Sequence, residues 1–584
     1  MGLICIFILS CSQTAIKNSE KYTDGKLTLV LRSQNEVEAK GVHWAISTQG
    51  PSTTKIAAEI LKNGGNLIDA AVAASFAISV ERPHSTGLGG GGFLIYHEAR
   101  TGKNHVFDFR GVAPLKSKKN MYLDTKGEVI PLRSLFGGLA VSTPGLVRGL
   151  KEIHQRFGKK RWSTLIYPAR DLARDGFDVY PTLAHALKEK KQRLLQFPET
   201  VKVFFHTDGT PITLGEHLVQ NDLATSLETI AKDPDDFYTG SIAQKIVNGV
   251  QSNDGILSLE DLQKVKTIQR IPVIANWKGY EIVSMPPPSS GGIHVAQILK
   301  QLQQDDLHYQ DPQSLHLLAS SMQSAFADRA EYLGDPDFVK VPMKGLLNSK
   351  YLANRRIEFK SERARSAREV SNGPAWEFEE ESNTTHFSMM DSEGNVVVST
   401  QTINGYFGSG LVIKGTGIVM NNTMDDFSVK DGTPNLFGVI GGSANSIAPG
   451  KTPLSCMTPT IVFKNKKPVF AVGAPGGTRI ITSVVQTILN HLVFGKDLYT
   501  SIASPRIHQQ WTPDVLSVER NAETGTREDF KPETINALEK MGWKVERESA
   551  QSNIMAVSRI QKPDGTFEFV GVADPRDIGT SAGE

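Results

Sequence analysis

The sequence predicts an α+β chain from two observations. Helical patterns fill Ser52–Lys62, Leu67–Val80 and most of residues 142 to 270, whereas strand-like runs dominate after Thr384. With 584 residues, 39% hydrophobic and 22% charged, there is ample material for a large core. Length alone would allow about four domains.

The N-terminus is apolar from Leu3 to Leu9. That run is too short to cross a bilayer, which needs about 20 residues, and it fits the apolar region of a secretory signal. Ile8-Leu9-Ser10-Cys11 resembles a bacterial lipobox, in which the cysteine carries the lipid. Two features weigh against it: no Lys or Arg precedes the run, and Leu9 is bulky for its place. The expectation is an exported, periplasmic chain with residues 1–11 as signal peptide and Cys11 as a candidate lipid anchor. Residues 12–41 are polar and are expected to form a tether.

Ser52–Lys62 reads as a helix stopped by Gly64-Gly65. Asn66 caps the next run, Leu67–Val80, which is apolar on nearly every face and is therefore expected to be buried. Gly87, Gly89 and Gly92 formally match Gly-x-Gly-x-x-Gly. A dinucleotide site needs strand before helix, and here the order is inverted, so these glycines are read as permitting close backbone packing beside a site. Residues 142 to 270 are helical with breaks expected at Pro168, Gly176 and Asp233-Pro234. Pro286 to Gly292 is a rigid turn into a helix starting near Ile293. His386–Met390 and Val396–Thr402 read as a hairpin around Asp391 to Asn395, and Leu411–Met420 and Pro459–Lys464 continue the strands.

Composition also excludes function classes. A net charge of +2 gives no nucleic-acid footprint. The basic run Arg355 to Arg368, mixed with Glu358, Phe359 and Glu362, is read as a solvated, mobile segment. Cys5, Cys11 and Cys456 form no zinc-type spacing and no disulfide framework, and His-Glu-x-x-His is absent from the sequence. No metal and no cofactor are expected.

The chemistry concentrates at Glu381-Ser382-Asn383-Thr384-Thr385-His386. A threonine hydroxyl is a weak nucleophile until a base sits beside it. Cleavage before Thr384 would free an α-amine, with a pKa of about 7.7–8.0, on the same residue as the hydroxyl. Asn383–Thr384 is then a self-cleavage junction. A Thr-Thr pair opening a strand is ordinarily only a β-former, so the surroundings must carry the reading.

Those surroundings are Gly64 to Ala73, His84 to Phe93, Asp108-Phe109-Arg110, Ser142 to Gly145, Pro286 to Gly292, Ala327-Asp328-Arg329 and Glu381 to His386. Asn421 to Ser428, Pro453-Leu454-Ser455, Gly473 to Gly477 and Asp574-Pro575-Arg576 follow. In this order and spacing, residues 42 to 577 resemble the γ-glutamyltransferases (γ-glutamyl transpeptidases). The resemblance implies an N-terminal-nucleophile hydrolase, a four-layer αββα sandwich self-cleaved into two intertwined subunits. The large subunit would span residues 42–383 and the small catalytic subunit residues 384–584.

The resemblance further implies a role for each matching position. Thr384 would form the acyl-enzyme, Thr402 would orient it, and Gly476 and Gly477 would form the oxyanion hole. Arg110 would clamp the substrate α-carboxylate, since a guanidinium offers a planar fork. Asp426 would accept the α-ammonium, with Asn404 and Ser455 as supporting hydrogen-bonders. Asp431 to Gly442 resembles a lid loop with Phe437 as its aromatic gate. His386 shares a strand face with Thr384, but the α-amine already supplies a base, and the family gives this histidine no such part.

Three departures stand in or beside the substrate-binding set. Gly111 replaces a frequent Glu, Thr423 replaces a longer Gln or Glu near the ammonium, and Cys456 replaces a serine facing the carboxylate. The implied partners are γ-glutamyl amides such as glutathione and amino-acid or dipeptide acceptors. One rival reading is a related amidohydrolase acting on glutaryl-cephalosporins or poly-γ-glutamate. Another is an inactive surface lipoprotein of the same fold.

Overall fold

The structure is a computed structural model that describes residues 21–23, 26–28, 32–370, 384–430, 432–438, 440–520, 529–548 and 552–584. The expected signal segment with Cys11, and the junction residue Asn383, lie outside the described residues.

Two seven-stranded sheets stack face to face. The first has the order Val273–Trp277, Tyr280–Ser284, Thr460–Lys464, Lys467–Gly473, Met555–Gln561, Phe567–Ala573 and Glu38–Gly41. The second has the order Thr580–Gly583, Trp44–Thr48, Thr385–Asp391, Val396–Thr402, Gly91–Glu98, Lys103–Asp108 and Ile268–Arg270. Both sheets interleave strands from before and after Thr384. Helices Gly291–Gln301 and Arg479–Leu492 cover the outer face of the first sheet, and Pro51–Lys62 and Leu67–Glu81 cover the second. The layers run α, β, β, α.

Local chemistry explains most elements. Asn66 accepts from Asp69 N at 2.9 Å and Asp69 reciprocates on Asn66 N at 3.0 Å, a capping box that starts the buried helix. Every residue of Leu67–Glu81 is buried, as the all-round apolar pattern requires. The glycine run permits close approach: a Cβ on Gly90 would lie 2.2 Å from Thr402 O, and one on Gly92 2.5 Å from Thr400 O. Glycine is therefore the residue that lets strand Gly91–Glu98 lie against strand Val396–Thr402.

Four expectations are corrected. Pro168 lies inside the helix Trp162–Asp175 and does not break it. The missing N–H is outweighed by burial of Leu165, Ile166, Ala169 and Ala173. The helix stops at Gly176, with φ +81°, as expected. Leu411–Met420 is only two short strands, Val412–Ile413 and Ile418–Val419, because Gly415 and Gly417 turn the chain between them with positive φ. The polar segment before residue 42 is not tether to its end: Val37 is buried and Glu38–Gly41 pairs with Phe569–Val572. The basic run is docked only in part: Arg355, Phe359 and Arg365 are buried, whereas Lys360, Glu362, Arg363 and Arg368 stay exposed as expected. Arg355 bonds Ser324 O at 3.0 Å and Asp328 at 3.2 Å, and Arg365 bonds Ser324 Oγ at 2.9 Å.

Candidate active site

Thr384 precedes the strand Thr385–Asp391, whose partner strand pairs Gln401 with Thr385. One further step of that antiparallel register sets Thr384 opposite Thr402, and both are buried. Thr402 Oγ1 accepts from Asn404 N at 2.8 Å, which fixes the turn leaving the strand. Asn404 holds φ +78°, a left-handed conformation that asparagine tolerates better than most residues.

His386 does not serve this site as a base. Its imidazole points between the sheets, where a Cβ on Gly473 would lie 2.3 Å from the ring. Nδ1 lies 2.8 Å from Thr400 Oγ1 and Nε2 3.1 Å from Ser388 Oγ. Burial pushes its pKa down to about 3, so it stays neutral and has little proton affinity at physiological pH.

The same Gly473 ends the strand of the first sheet that packs over Thr385–Asp391, and the chain continues into Gly476 and Gly477. Their φ values of +129° and +53° are conformations that favour glycine. They immediately precede the buried helix Arg479–Leu492, so the helix N-terminus adds partial positive charge there. The Phe437 ring lies against Gly477: a Cβ on that glycine would be 2.6 Å from Phe437 Cδ1. Phe437, expected as the gate, thus rests on Gly477, one of the two glycines expected to form the oxyanion hole.

Two contacts hold the segment expected to form a lid. Asp425 Oδ2 accepts from Leu436 N at 2.8 Å and its Oδ1 from Ser134 Oγ at 2.6 Å. Gln510 Nε2 donates to Phe437 O at 3.3 Å. Burial raises Asp425 to about 6 despite these donors. Sequence reading missed both anchors. Asp425 stood inside a quoted motif and could have been suspected, whereas nothing in the spacing points to Gln510. Within the segment expected to form the lid, Asp431 and Val439 lie outside the described residues.

The charged pocket forms where distant loops meet. Arg110 follows the strand Lys103–Asp108, and Asp426 ends the short turn Thr423–Asp426. Arg110 Nη2 donates to Asp426 Oδ2, Nη1 to Ser455 Oγ at 3.2 Å, and Nε to Pro453 O at 3.2 Å. Asn435 Nδ2 donates to Asp426 Oδ1 at 3.5 Å, and Asn404, whose Nδ2 donates to Asn422 O at 3.2 Å, lies close enough to help hold the Asp426 carboxyl down. Burial raises the pKa of Asp426, opposed first by the Arg110 charge. Such a carboxylate needs a cation beside it at all times.

The remaining predicted residues sit at the rim of this group. Thr423 is buried in the turn that carries Asp426, and its backbone N donates to Asn421 Oδ1 at 3.0 Å. Cys456 is buried beside the apolar core, and its Sγ accepts from Ser290 Oγ at 3.8 Å. Gly111 has no room for a side chain, since a Cβ would lie 2.3 Å from Ser142 Oγ.

A family model described as γ-glutamyltranspeptidase matches residues 53–584. The chain belongs to the γ-glutamyltranspeptidase family. A glutathione hydrolase proenzyme of Escherichia coli is 40% identical over 537 residues, covering 91% of this chain and 90% of its own. A cephalosporin acylase from Bacillus halodurans superposes with a TM-score of 0.81 at 26% identity, over 94% of this chain and 97% of its own. The γ-glutamyltranspeptidase of Helicobacter pylori gives a TM-score of 0.52 at 38% identity, over 58% of this chain and 94% of its own. For this family member the structure brings Arg110, Asp426 and Ser455 into one bonded cluster with Asn404 beside it, and sets Phe437 on Gly477.

Proposed function

We propose that this chain is a self-cleaving γ-glutamyltransferase and glutathione hydrolase with Thr384 as its nucleophile. The observation that carries the substrate reading is the Arg110–Asp426 pair. A γ-glutamyl head brings one carboxylate and one ammonium, and so it can replace each partner of that pair with its own opposite charge. A glutaryl head brings only the carboxylate. It would engage Arg110 and leave Asp426 buried without its cation, which is strongly unfavourable.

In this mechanism cleavage at Asn383–Thr384 frees the α-amine. The amine takes the hydroxyl proton as Thr384 Oγ bonds to the γ-carbonyl carbon. The backbone N–H groups of Gly476 and Gly477 receive the developing oxyanion; one such donor is worth roughly 10²–10³ in rate. The amine returns the proton to the departing nitrogen. Water or an amino-acid acceptor then attacks the ester, and Thr384 regains its proton. The kcat/KM should rise with pH through about 7–8 as the amine becomes neutral. A flat profile from about pH 6 to 9, with chemistry rate-limiting, would contradict that base.

The proposed setting is the periplasm, with Cys11 as the lipid anchor; the apolar run Leu3–Leu9 motivates it. Intact-mass measurement combined with turnover of glutathione and of glutaryl amides tests the functional reading. Two fragments meeting at Asn383–Thr384 and preference for glutathione are expected. Preference for the glutaryl amide would favour the acylase reading, and an uncleaved, inactive chain would favour a non-enzymatic role.

A further inference from the structure

Arg329 is a cationic group that the reading above leaves without a role. It sits near the C-terminal end of the helix Pro312–Tyr332 and is only 4% exposed. Its Nε donates to Ser290 Oγ at 3.2 Å. Among the described residues, its terminal Nη atoms have neither a hydrogen-bond partner nor a carboxylate within 4 Å. Arg355 and Arg365 pack against the same helix, and each is tied to a carboxylate and to helix oxygens. The fork is not among the fully buried atoms, so a nearly buried cation keeps an open face that an entering anion can meet.

Its position says where that anion comes from. Ser290 Oγ, the partner of Arg329, also donates to Ser455 O at 2.9 Å and lies 3.8 Å from Cys456 Sγ. Arg110 reaches the same segment through Ser455 Oγ and Pro453 O. Two guanidinium groups are therefore tied to Ser455, Arg110 directly and Arg329 through Ser290. The Arg329 charge also acts on Asp426, helping to hold down a carboxyl that burial raises. These contacts place Arg329 in the electrostatic field of the γ-glutamyl head pocket.

We propose that Arg329 is a specificity-determining residue whose Nη fork receives the α-carboxylate of the γ-glutamyl head together with Arg110. The proposal rests on the head-pocket reading above. Its consequence is a division of labour. Arg110 must exchange Asp426 for the substrate carboxylate, whereas Arg329 gives up no ion pair and supplies attraction from the start. Arg329 also keeps a positive charge near Asp426 while that exchange takes place.

The test compares two chromogenic amides in the full, self-cleaved enzyme. γ-Glutamyl-p-nitroanilide carries the α-carboxylate, and γ-aminobutyryl-p-nitroanilide lacks it but keeps the ammonium. Arg329→Met should raise KM for the first by about tenfold or more, with kcat within about threefold, because the contact exists in ground and transition states alike. Its kcat/KM for the second should stay within about twofold. Arg329→Lys, which keeps the charge but loses the fork, should fall between wild type and Met. Self-cleavage and the melting temperature report folding. If the Met variant does not fold, the Lys variant alone must show the selective rise in KM. An unchanged KM, or an equal loss on both amides, would overturn the proposal. Arg110→Lys as a parallel arm separates the failures. An effect there with none at Arg329 removes only Arg329, whereas neutrality at both positions removes the head-pocket reading itself.

Discussion

The two halves of the site are built differently. The nucleophile side is made of sheet strands and backbone: Thr384 and Thr402 at adjoining strand ends, glycines at positive φ, and a neutral His386 packed behind them. The head pocket is made of loops and ionised groups, with Arg110, Asp426 and Arg329 gathered from segments far apart in sequence. Bond-making needs donors held in place without side-chain freedom, and a sheet supplies that. Recognition needs charges that an entering substrate can engage, and this pocket offers one pair that can exchange partners, Arg110 with Asp426, and one helix-borne cation whose fork is open, Arg329.

Removing the nucleophile is the harshest way to separate the halves. Thr384→Ala should leave one full-length chain and lower turnover by at least roughly 10³-fold, because both cleavage and acylation use the same hydroxyl. The charged pocket should still form, so binding of a γ-glutamyl ligand should remain measurable by calorimetry unless the uncut segment blocks entry. If the alanine variant yields the same two fragments and the same turnover, Thr384 is not the nucleophile.

Gly477→Ala probes the place where the nucleophile side meets the lid. The new Cβ would lie 2.6 Å from Phe437 Cδ1, in a backbone at φ +53° that disfavours alanine. The glycine or the lid must shift, and kcat should fall by roughly 10–10²-fold. Adding Phe437→Ala removes the clash and should restore part of the loss. Steady-state kinetics of the double variant decide this: if the two losses simply add, the lid does not press on the proposed oxyanion hole.

How much of this was legible follows the same division. The nucleophile side is local in sequence: a threonine opening a strand, a hairpin, and a Gly-Gly before a helix. The helix cap at Asn66 and the buried run after it were equally readable, since periodicity and capping are short-range signals. The head pocket is not local. Arg110 and Asp426 stand 316 positions apart, and no spacing rule joins them; only the resemblance did. Arg329 lay inside a quoted motif, but its idle fork is a property of packing. Its one sequence signal is a charge in the helix Pro312–Tyr332 at a point where the preceding residues are buried. Pro168 failed as a breaker for a related reason: tertiary burial outweighs a local rule that sequence reading must apply uniformly.

On the recognition side, Arg110→Lys should raise KM for glutathione by about tenfold while kcat changes less. Lysine keeps the charge but cannot bridge Asp426 and Ser455 as the fork does. A larger loss in kcat than in KM would mean that this arginine acts on the transition state, and the two halves would then not be separable as argued. An unchanged KM would remove Arg110 from the pocket.

The mildest perturbation, Cys456→Ser, asks how far the head pocket extends. Cys456 is buried beside Leu454 and Met457 of the apolar core, yet its sulfur faces Ser290, which Arg329 also contacts. A thiol is a weak donor, and a hydrogen bond to a charged group is worth about 1.5–3 kcal/mol when well made. If the side chain reaches the substrate carboxylate, serine should lower KM for γ-glutamyl amides by several-fold, within the roughly tenfold allowed at the lower end of that range. Self-cleavage should not change, because the nucleophile side does not use this position. A thiol-alkylating reagent should inactivate the enzyme slowly, since the sulfur is buried, and a γ-glutamyl substrate should protect it. Should KM stay the same and alkylation spare activity, Cys456 belongs with Leu454 and Met457, and the pocket ends at Ser455.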